Sequence, residues 1–380
     1  MTCIYQKLAG AAACTVLGLV ASQSADAASL YSLTDLGSLT GKTFSYASSI
    51  NNLGQVAVNS GFNDSRAFLY SDDQLIEIEP LPGDDAIGIT DINNFGQVVG
   101  NSVNNNTFSG NHALIYSDGT TQSLGLNGIP YAINDSGQVV GGTTGGGIFP
   151  ELAFPYGAAF LYSGGTTTII NTNLQENYVA SGMNNLGQVV GIFGSPSRAF
   201  LYDNGTITNL GTLPGDNYSS AEDINDLGQV VGVSAPSGVN DGTAFLYSSN
   251  TGMISLGKLF PTDAYSVAIG INNLGQVVGW SGTNPNFYSE SGVGIRAFLY
   301  SDGIMQDLNE LIAPGSDFIL TQAQGINDRG QIAGAGVING ELHAVLLTPQ
   351  PSQGVPEPAS TLGILAFGAI GAGSLLKRKL

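Results

Sequence analysis

Four short loops of similar sequence each place an aspartate beside a proline. Their sequences are LPGDD, LPGDN, FPTDA and APGSD, and the aspartates are Asp84, Asp216, Asp263 and Asp317. Carboxylate oxygens are the ligands that Ca²⁺ prefers, so these four residues are candidate calcium ligands on one rim of the fold. None of the loops has the dense alternating aspartates of a dedicated calcium loop, and a proline turn also explains them. No other cofactor is predicted.

Two long segments concentrate aromatic side chains that are suited to binding a sugar or an apolar partner. They span residues 142–157 and 280–295, and they interrupt a pattern that is shorter elsewhere in the chain. The candidate ligand-binding residues are Phe149, Phe154, Tyr156, Trp280, Phe287 and Tyr288. Packing of each long loop on itself is the alternative interpretation.

The sequence offers few residues whose types and spacing suit catalysis. The chain has two histidines, His112 and His343, at equivalent places in a repeated pattern, which favours a structural role over general-base or metal chemistry. A glycosidase needs two carboxylates facing each other across the substrate. The acids that best break the pattern are Glu151 and Glu290, one in each long segment, so we predict no catalytic residues and keep a lyase or glycosidase as the alternative.

The charge of the chain is strongly acidic, with 10 Lys and Arg against 29 Asp and Glu. A formal net charge of −19 excludes nucleic acid as a natural partner. Only 10% of the residues are charged and 54 are glycine, a composition that favours β-structure with many turns.

Self-comparison of the sequence shows seven copies of one nine-residue motif, of which INNLGQVVG is typical. Successive copies are 42, 41, 50, 41, 47 and 55 residues apart, measured between their glycines. The copies begin at Ile50, Ile92, Ile133, Met183, Ile224, Ile271 and Ile326. Each is followed by a second motif such as RAFLY and by a Leu-rich run, so each unit contains four short strands.

The strand with the sequence Ala-Phe-Leu-Tyr is apolar at successive positions, so both of its faces should be buried. Stacked four-stranded sheets, the blades of a propeller, satisfy that requirement. The region also starts with a fourth-type strand, LYSLTDLGSL, and ends with a third-type strand, HAVLLTP. We therefore predict an all-β, seven-bladed β-propeller over residues 28–349, in which the N-terminal strand completes the last blade.

The repeated motif itself predicts a hairpin turn. Asn-Asn-Leu-Gly between two strands suits a type I turn closed by a glycine in the left-handed region, as at Gly275. Asp135, Asp226 and Asp328 occupy the position that Asn fills in the other copies, and both residue types bond to local backbone. This pattern indicates structure rather than acid–base chemistry.

The N-terminal 27 residues have the organisation of a secretory signal peptide. Lys7 precedes an apolar run, and Ala25 and Ala27 form a small-x-small cleavage pattern. Cys3 and Cys14 are the only cysteines in the sequence, and both lie in this segment. The exported chain should therefore contain no disulfide and depend on its core alone.

Residues 350–380 form a linker followed by an apolar run and a basic cluster at Lys377–Lys379, a stop-transfer pattern. The order of Pro356, Glu357 and Pro358, the apolar segment and the basic end resembles the PEP-CTERM sorting signal. That resemblance implies an exosortase-type partner, transient anchoring in the inner membrane, and release to the cell surface or extracellular matrix. A plain C-terminal membrane anchor is the alternative.

The repeats resemble those of HAF-repeat extracellular proteins, whose units carry a His-Ala-Phe strand and an INxxGQVVG turn. Only HAL at His112 and HAV at His343 keep the histidine. The resemblance implies an exported repeat protein and names no enzymatic activity. We expect a non-catalytic surface or matrix protein that binds exopolysaccharide or another surface protein through one propeller face. A purely structural matrix component is a further alternative.

Overall fold

The computed structural model describes residues 30–37, 39, 44–61, 65–106, 110–143, 157–170, 176–237, 241–283 and 294–351. The regular structure in these ranges is almost entirely β-strand, together with a short 3₁₀ helix at Leu308–Glu310. This finding confirms the all-β prediction. The predicted signal peptide with Ala25 and Ala27, and the predicted sorting residues Pro356, Glu357 and Pro358, lie outside the described residues.

The strands follow the repeats. The first fourteen are β1 (Tyr31–Gly37), β2 (Ser45–Ile50), β3 (Val56–Ser60), β4 (Arg66–Ser71), β5 (Gln74–Ile78), β6 (Ala86–Ile92), β7 (Val98–Val103), β8 (His112–Ser117), β9 (Thr120–Ile133), β10 (Val139–Thr143), β11 (Ala159–Ser163), β12 (Thr166–Ile169), β13 (Tyr178–Met183) and β14 (Val189–Phe193). The others are β15 (Arg198–Asp203), β16 (Thr206–Gly211), β17 (Tyr218–Ile224), β18 (Val230–Ala235), β19 (Thr243–Ser248), β20 (Gly252–Gly257), β21 (Tyr265–Ile271), β22 (Val277–Gly282), β23 (Ile295–Ser301), β24 (Ile304–Asp307), β25 (Ile319–Ile326), β26 (Ile332–Ile338) and β27 (Glu341–Pro349).

The sheets are antiparallel, and five of the six in the described ranges have four strands. The sixth has seven strands because β9 is continuous. Its first half, up to Asn127, pairs with β8, whereas residues 128–133 pair with β10. The predicted four-stranded units are therefore confirmed.

Strand β1 pairs with a strand that is far away in the sequence. It pairs antiparallel with β27, from Tyr31 opposite Pro349 to Gly37 opposite Ala344. The sheet that contains the last repeat thus has the order β1-β27-β26-β25.

Each copy of the repeated motif forms the hairpin turn that the sequence predicts. In the fifth copy, the Gly228 N–H donates to the Asn225 carbonyl at 3.0 Å, and the Asn225 N–H donates to the Gln229 carbonyl at 3.1 Å. Gly228 has φ +73°, in the left-handed region where glycine is favoured. The corresponding glycines of the other six copies also have positive φ, between +71° and +83°.

The core lies between sheets. In β15, Phe200 packs into a cluster with residues of the preceding sheet, such as Val140. Its neighbour Ala199 packs into a cluster with residues of the following sheet, such as Ala221. Consecutive side chains of the third strand therefore reach different neighbours, which confirms that both of its faces are buried.

Candidate functional site

Two adjacent cavities are lined by residues from all seven repeats, and together they are here called the channel. The outer one, here called the mouth, is a cavity of about 170 Å³ lined by three consecutive residues of every turn, such as Ile224, Asn225 and Asp226. The inner one, here called the chamber, has a volume of about 300 Å³. Side chains including Ile50, Ile92, Met183 and Ile326 line both compartments and form an apolar collar between them.

A ring of seven asparagines builds the mouth. The Oδ1 of Asn225 accepts the N–H groups of Leu227 and Gln229 in its own turn, at 3.1 and 3.0 Å. Its Nδ2 donates to Gln229 Oε1 at 2.8 Å and to the carbonyl of Asn272 in the next turn at 3.0 Å. The equivalent residues are Asn51, Asn93, Asn134, Asn184, Asn272 and Asn327, and all are buried.

The bonds between turns run through the whole set of repeats. Each ring asparagine donates to the carbonyl of the next one in sequence. The last residue, Asn327, donates to the carbonyl of Asn51 at 2.9 Å, so the series returns to the first turn. The asparagine is the same in every copy because it bonds to the backbone groups of its own turn and of the next.

A second ring contains the next residue of each turn, which is asparagine in four copies and aspartate in three. Each backbone N–H donates to the side chain of the following member, as Asn185 does to Asp226 at 2.8 Å. The side-chain amide of Asn185 also donates to Asp226, at 3.2 Å. In the cyclic order Asn52, Asn94, Asp135, Asn185, Asp226, Asn273, Asp328, no two aspartates are neighbours. This order avoids like-charge repulsion between adjacent carboxylates.

Three acidic residues that the sequence analysis did not single out line the chamber: Asp91, Glu222 and Asp223. Strand β17 has a bulge, since its register with β18 shifts between Ala221 and Asp223. A bulge sets two residues against one on the partner strand and disturbs the usual alternation of faces. The consecutive side chains of Glu222 and Asp223 therefore both face the chamber.

Asp91 links three repeats. Its carboxylate accepts a bond from the hydroxyl of Ser49 in the preceding repeat at 2.6 Å, and one from the N–H of Ile133 in the following repeat at 2.9 Å. Asp223 accepts bonds from the N–H groups of Ile224 and Ile271, at 2.7 and 3.0 Å. These carboxylates thus fasten neighbouring first strands together around the channel.

The wall of the channel changes the titration of all three acids. Burial raises the pKa of Glu222 to about 7, and a hydrogen bond from Ser220 at 2.8 Å opposes the rise. Burial likewise raises the pKa of Asp223 to about 7, with smaller contributions from the charges of Asp91 and Glu222. The pKa of Asp91 is also raised, chiefly by burial. Glu222 and Asp223 therefore gain or lose their protons near neutral pH.

Polar groups complete the chamber wall. Hydroxyls of Ser48, Thr90 and Ser181, the phenol of Tyr131 and the amide of Gln324 lie among the acids. Such a wall offers hydrogen-bond acceptors and donors to a small polyol or to the end of a sugar chain.

The predicted calcium ligands are not gathered into one site. Asp84, Asp216 and Asp263 lie in separate loops, and each accepts a bond from the serine hydroxyl of a nearby second strand, at 2.5, 2.7 and 2.6 Å. Asp317 is exposed in the loop before β25. Within the ranges that the structure describes, no group of three or more His, Cys, Asp or Glu residues could hold a metal ion.

The predicted place of Trp280 in a surface loop is wrong. Strand β22 continues to Gly282, so Trp280 lies in a strand rather than in a surface loop. Its side chain is only 8% exposed and packs edge-on against the ring of Tyr265, with centroids 4.8 Å apart. The other candidates of the two long segments, Phe149, Phe154, Tyr156, Phe287 and Tyr288, lie outside the described residues, as do Glu151 and Glu290.

The two histidines bond to acidic side chains at the rims of their sheets. His112 Nδ1 lies 2.8 Å from Asp84 Oδ2, and His343 Nδ1 lies 3.0 Å from Asp35 Oδ1. Neither histidine lines the mouth or the chamber.

One signal in the sequence could have pointed to the chamber. Asp91 and Asp223 directly precede the Ile-Asn of their motifs, where other copies have Ser49, Ala132, Gly182, Gly270 and Gly325. An acid at this position is a departure from the repeat, but the position lies one residue outside the nine-residue motif.

Comparison with known proteins shows the fold and leaves the chemistry open. Residues 214–346 match a family described as a protein of unknown function, DUF3466. No curated protein matches the chain. Virginiamycin B lyase from Staphylococcus aureus has a similar structure, with TM-score 0.53 and 13% identity over 84% of this chain and 100% of that one.

A structure of streptogramin B lyase is also similar, with TM-score 0.52 and 11% identity over 84% of this chain and 98% of that one. The β-propeller domain of the trilobed protease from Pyrococcus furiosus gives TM-score 0.49 and 11% identity, over 68% of this chain and 79% of that one. Together with the four-stranded antiparallel sheets, the likeness to the two lyase structures shows a fold of β-propeller type. Identities this low carry no information on activity.

Among the described residues, no helix has the length and apolar character needed to cross a membrane.

Proposed function

We propose that the chain is a closed seven-bladed propeller. Counting the seven-stranded sheet as two blades that share β9 gives seven units, one for each motif. The series of asparagine bonds that returns from Asn327 to Asn51, and the pairing of β1 with β27, support closure of the ring.

We further propose that this propeller is an exported, non-catalytic surface or matrix protein that binds a polysaccharide, with a sugar unit entering the chamber. The observation that carries the proposal is the trio Asp91, Glu222 and Asp223, which breaks the repeat where the first strands face the chamber. Carboxyl and hydroxyl groups together recognise the hydroxyls of sugars through paired hydrogen bonds. Aromatic residues of the two long segments would extend the binding face.

Export is proposed from the sequence. The signal peptide would direct the chain across the inner membrane, and the tail with Pro356, Glu357 and Pro358 would hold it there until an exosortase-type enzyme removes the apolar segment. The strong negative charge would keep the released protein soluble at the cell surface.

The test is a glycan array probed with the exported chain, with and without calcium. We expect binding that falls at least tenfold when Glu222→Gln and Asp223→Asn are combined, because both changes remove a carboxylate from the chamber. Glu79→Gln, which changes an exposed acid far from the channel, is the matched control and should bind like the wild type. Absence of binding to every glycan, or unchanged binding of the double variant, would count against the proposal.

An enzyme acting on polysaccharide is the second candidate, because acids that break the repeat do share the chamber. A glycosidase, however, needs environments that push the pKa values of its two carboxyls apart, so that one is protonated while the other is ionised. Here burial raises the pKa of all three acids. A shared direction does not separate binding from catalysis, so an assay for new reducing ends or unsaturated products decides between the two candidates.

A further inference from the structure

The exposed tips of the turns form a ring of apolar side chains around the mouth. The third residue of the turn is apolar in five of the seven copies, and these side chains are between 64% and 74% exposed. We call them the crown: Leu53, Phe95, Leu186, Leu227 and Leu274. The remaining two tips are Ser136 and Arg329.

The turn does not require an apolar tip. In the third copy, which carries Ser136, the Gly137 N–H donates to the Asn134 carbonyl at 3.0 Å and the Ser136 N–H donates to Asn134 Oδ1 at 3.1 Å. The same bonds form in copies with leucine, for example at Asn184. The hydrogen bonds of the turn therefore do not depend on an apolar tip, and exposed apolar side chains gathered on one face mark an interaction surface.

The geometry of the ring suits a flat partner. Equivalent turns joined by equivalent bonds place their tips at the same level around the mouth. A surface groove of about 220 Å³ lies between two neighbouring turns of the crown, lined by Leu186, Leu227 and Tyr247 among others.

The chain also leaves the described fold at this face. Strand β27 ends at Pro349, and a Cβ added to Gly330 would lie 3.3 Å from Pro349 Cγ. Gly330 closes the seventh turn, whose tip is Arg329, so the C-terminal tail begins beside the crown.

We propose that the crown rests on the surface of the lipid bilayer that holds the C-terminal tail. This inference depends on the proposed insertion of the tail. Seven residues, 350–356, separate Pro349 from Glu357, and 19 uncharged residues, 358–376, follow before Lys377. A linker of seven residues spans at most about 25 Å, so an inserted tail keeps the crown close to the bilayer. Tethering at such short range makes even weak contacts effective.

Charge favours a bilayer over a second copy of the chain. Two crowns face to face would bring Asp135, Asp226 and Asp328 of each copy towards those of the other, which like-charge repulsion opposes. A zwitterionic bilayer has no such conflict, and Arg329, next to the point where the tail leaves, can bond to lipid phosphate. The net charge of −19 predicts a preference for zwitterionic over anionic lipids.

Single-cysteine labelling tests the inference, because both cysteines of the sequence, Cys3 and Cys14, lie in the predicted signal peptide. The chain from residue 28 to its end is reconstituted in phosphatidylcholine vesicles that contain a nitroxide-labelled lipid. One variant carries a fluorophore at Ser136→Cys, a polar tip whose change leaves the five apolar tips intact. The control carries it at Thr262→Cys, an exposed residue in the loop at the opposite end of the strands.

We expect lipid nitroxides to quench the label at position 136 several-fold more than the label at position 262. Changing all five crown residues to serine should reduce quenching at position 136 to the level of the control. Vesicle flotation, measured on the same samples, reports tail insertion separately.

Floating protein with equally weak quenching at both positions would overturn the crown contact and leave the anchoring proposal intact. Protein that fails to float would overturn the inference together with the membrane-anchored stage on which it rests. Oxidative disulfide formation between unlabelled Ser136→Cys chains, with no lipid quenching of the labelled chain, would assign the crown to a second copy instead. The sugar-binding proposal is tested independently, on the glycan array.

Discussion

The mouth and the chamber of the channel are built from adjacent residues of the same strands and turns, yet they follow opposite rules. In the mouth, all seven copies carry the same asparagine, as at Asn225, and its polar atoms bond to backbone and side chain in the same way each time. In the chamber, two or three residues before this asparagine, the copies differ, and Glu222 and Asp223 have raised pKa values.

The difference separates two uses of a repeat. Positions that agree hold the turns together, and every copy needs them because every turn has the same backbone groups to satisfy. Positions that differ face a shared space, where each contributes a different group to one asymmetric site. Four substitutions test this contrast, three of them in the fifth turn.

Asn225→Ala should have the largest effect. It removes four hydrogen bonds from a side chain that is 4% exposed and leaves buried backbone groups without partners. We expect a loss of about 3–4 kcal/mol in the free energy of unfolding, measured by chemical denaturation. Asn250→Ala, at an exposed turn residue, serves as the control and should change stability by less than about 0.5 kcal/mol.

Glu222→Gln should reveal the chamber through pH. Burial raises the pKa of Glu222 from 4.5 to about 7, so the folded protein holds a proton that the unfolded chain releases between those values. The stabilisation is complete below about pH 4.5 and is lost as pH rises through 7. The variant should lack this decline, which amounts to roughly 3 kcal/mol, and should gain stability relative to wild type at pH 8.

The measurement for Glu222→Gln is the free energy of unfolding at several pH values from 5 to 8. Glu79→Gln, which removes an exposed carboxylate, controls for the overall change in charge. Parallel pH profiles of wild type and Glu222→Gln would contradict the raised pKa. The raised pKa values of Asp223 and Asp91 also lower the stability as pH rises, and they do so in both proteins.

Gly228→Ala should have a smaller effect. Its φ of +73° is strained for any residue with a Cβ, and the nearest atom that a Cβ would meet, Gln188 Oε1, is 3.6 Å away. Only backbone strain is added, so we expect a loss of about 1–2 kcal/mol, measured by thermal denaturation. Gly88→Ala, at a strand glycine with space for a Cβ, should change stability less.

Leu227→Ser should hardly alter stability. Its side chain is 69% exposed, and Ser136 already occupies the same place in the third turn. We expect a change below about 0.5 kcal/mol in the free energy of unfolding, together with weaker contact of the crown with phosphatidylcholine vesicles. A large loss of stability would show that Leu227 belongs to the core. It would contradict the proposal that the crown is an interaction surface.

Most of the blade could be predicted from the sequence because its signals are local. Asn-x-x-Gly defines the turn through hydrogen bonds within five residues, and successive apolar residues in the third strand indicate burial on both faces. The bonds that run from turn to turn were not predicted. They join Asn225 to Asn272, 47 residues away, and only the arrangement of the sheets brings such residues together.

The chamber escaped prediction for a physical reason. Strict alternation along β17 assigns Glu222 and Asp223 to opposite faces, whereas the bulge after Ala221 turns both towards the chamber. The repeated motif ends at Gly279 and so predicts a loop at Trp280, whereas β22 continues three residues beyond Gly279. Site prediction failed where strand geometry departs from the regular pattern.

The second ring of the mouth has a consequence that comes from its number of members. Strict alternation of amide and carboxylate cannot close around an odd number of members, so two like residues must be neighbours, and here they are Asn52 and Asn94. The amide of Asn52 turns back to Asp328, which thereby accepts amides from both sides. Because there are four amides and no two neighbouring aspartates, this pair occurs once, and it distinguishes one place in the series of turns from all the others.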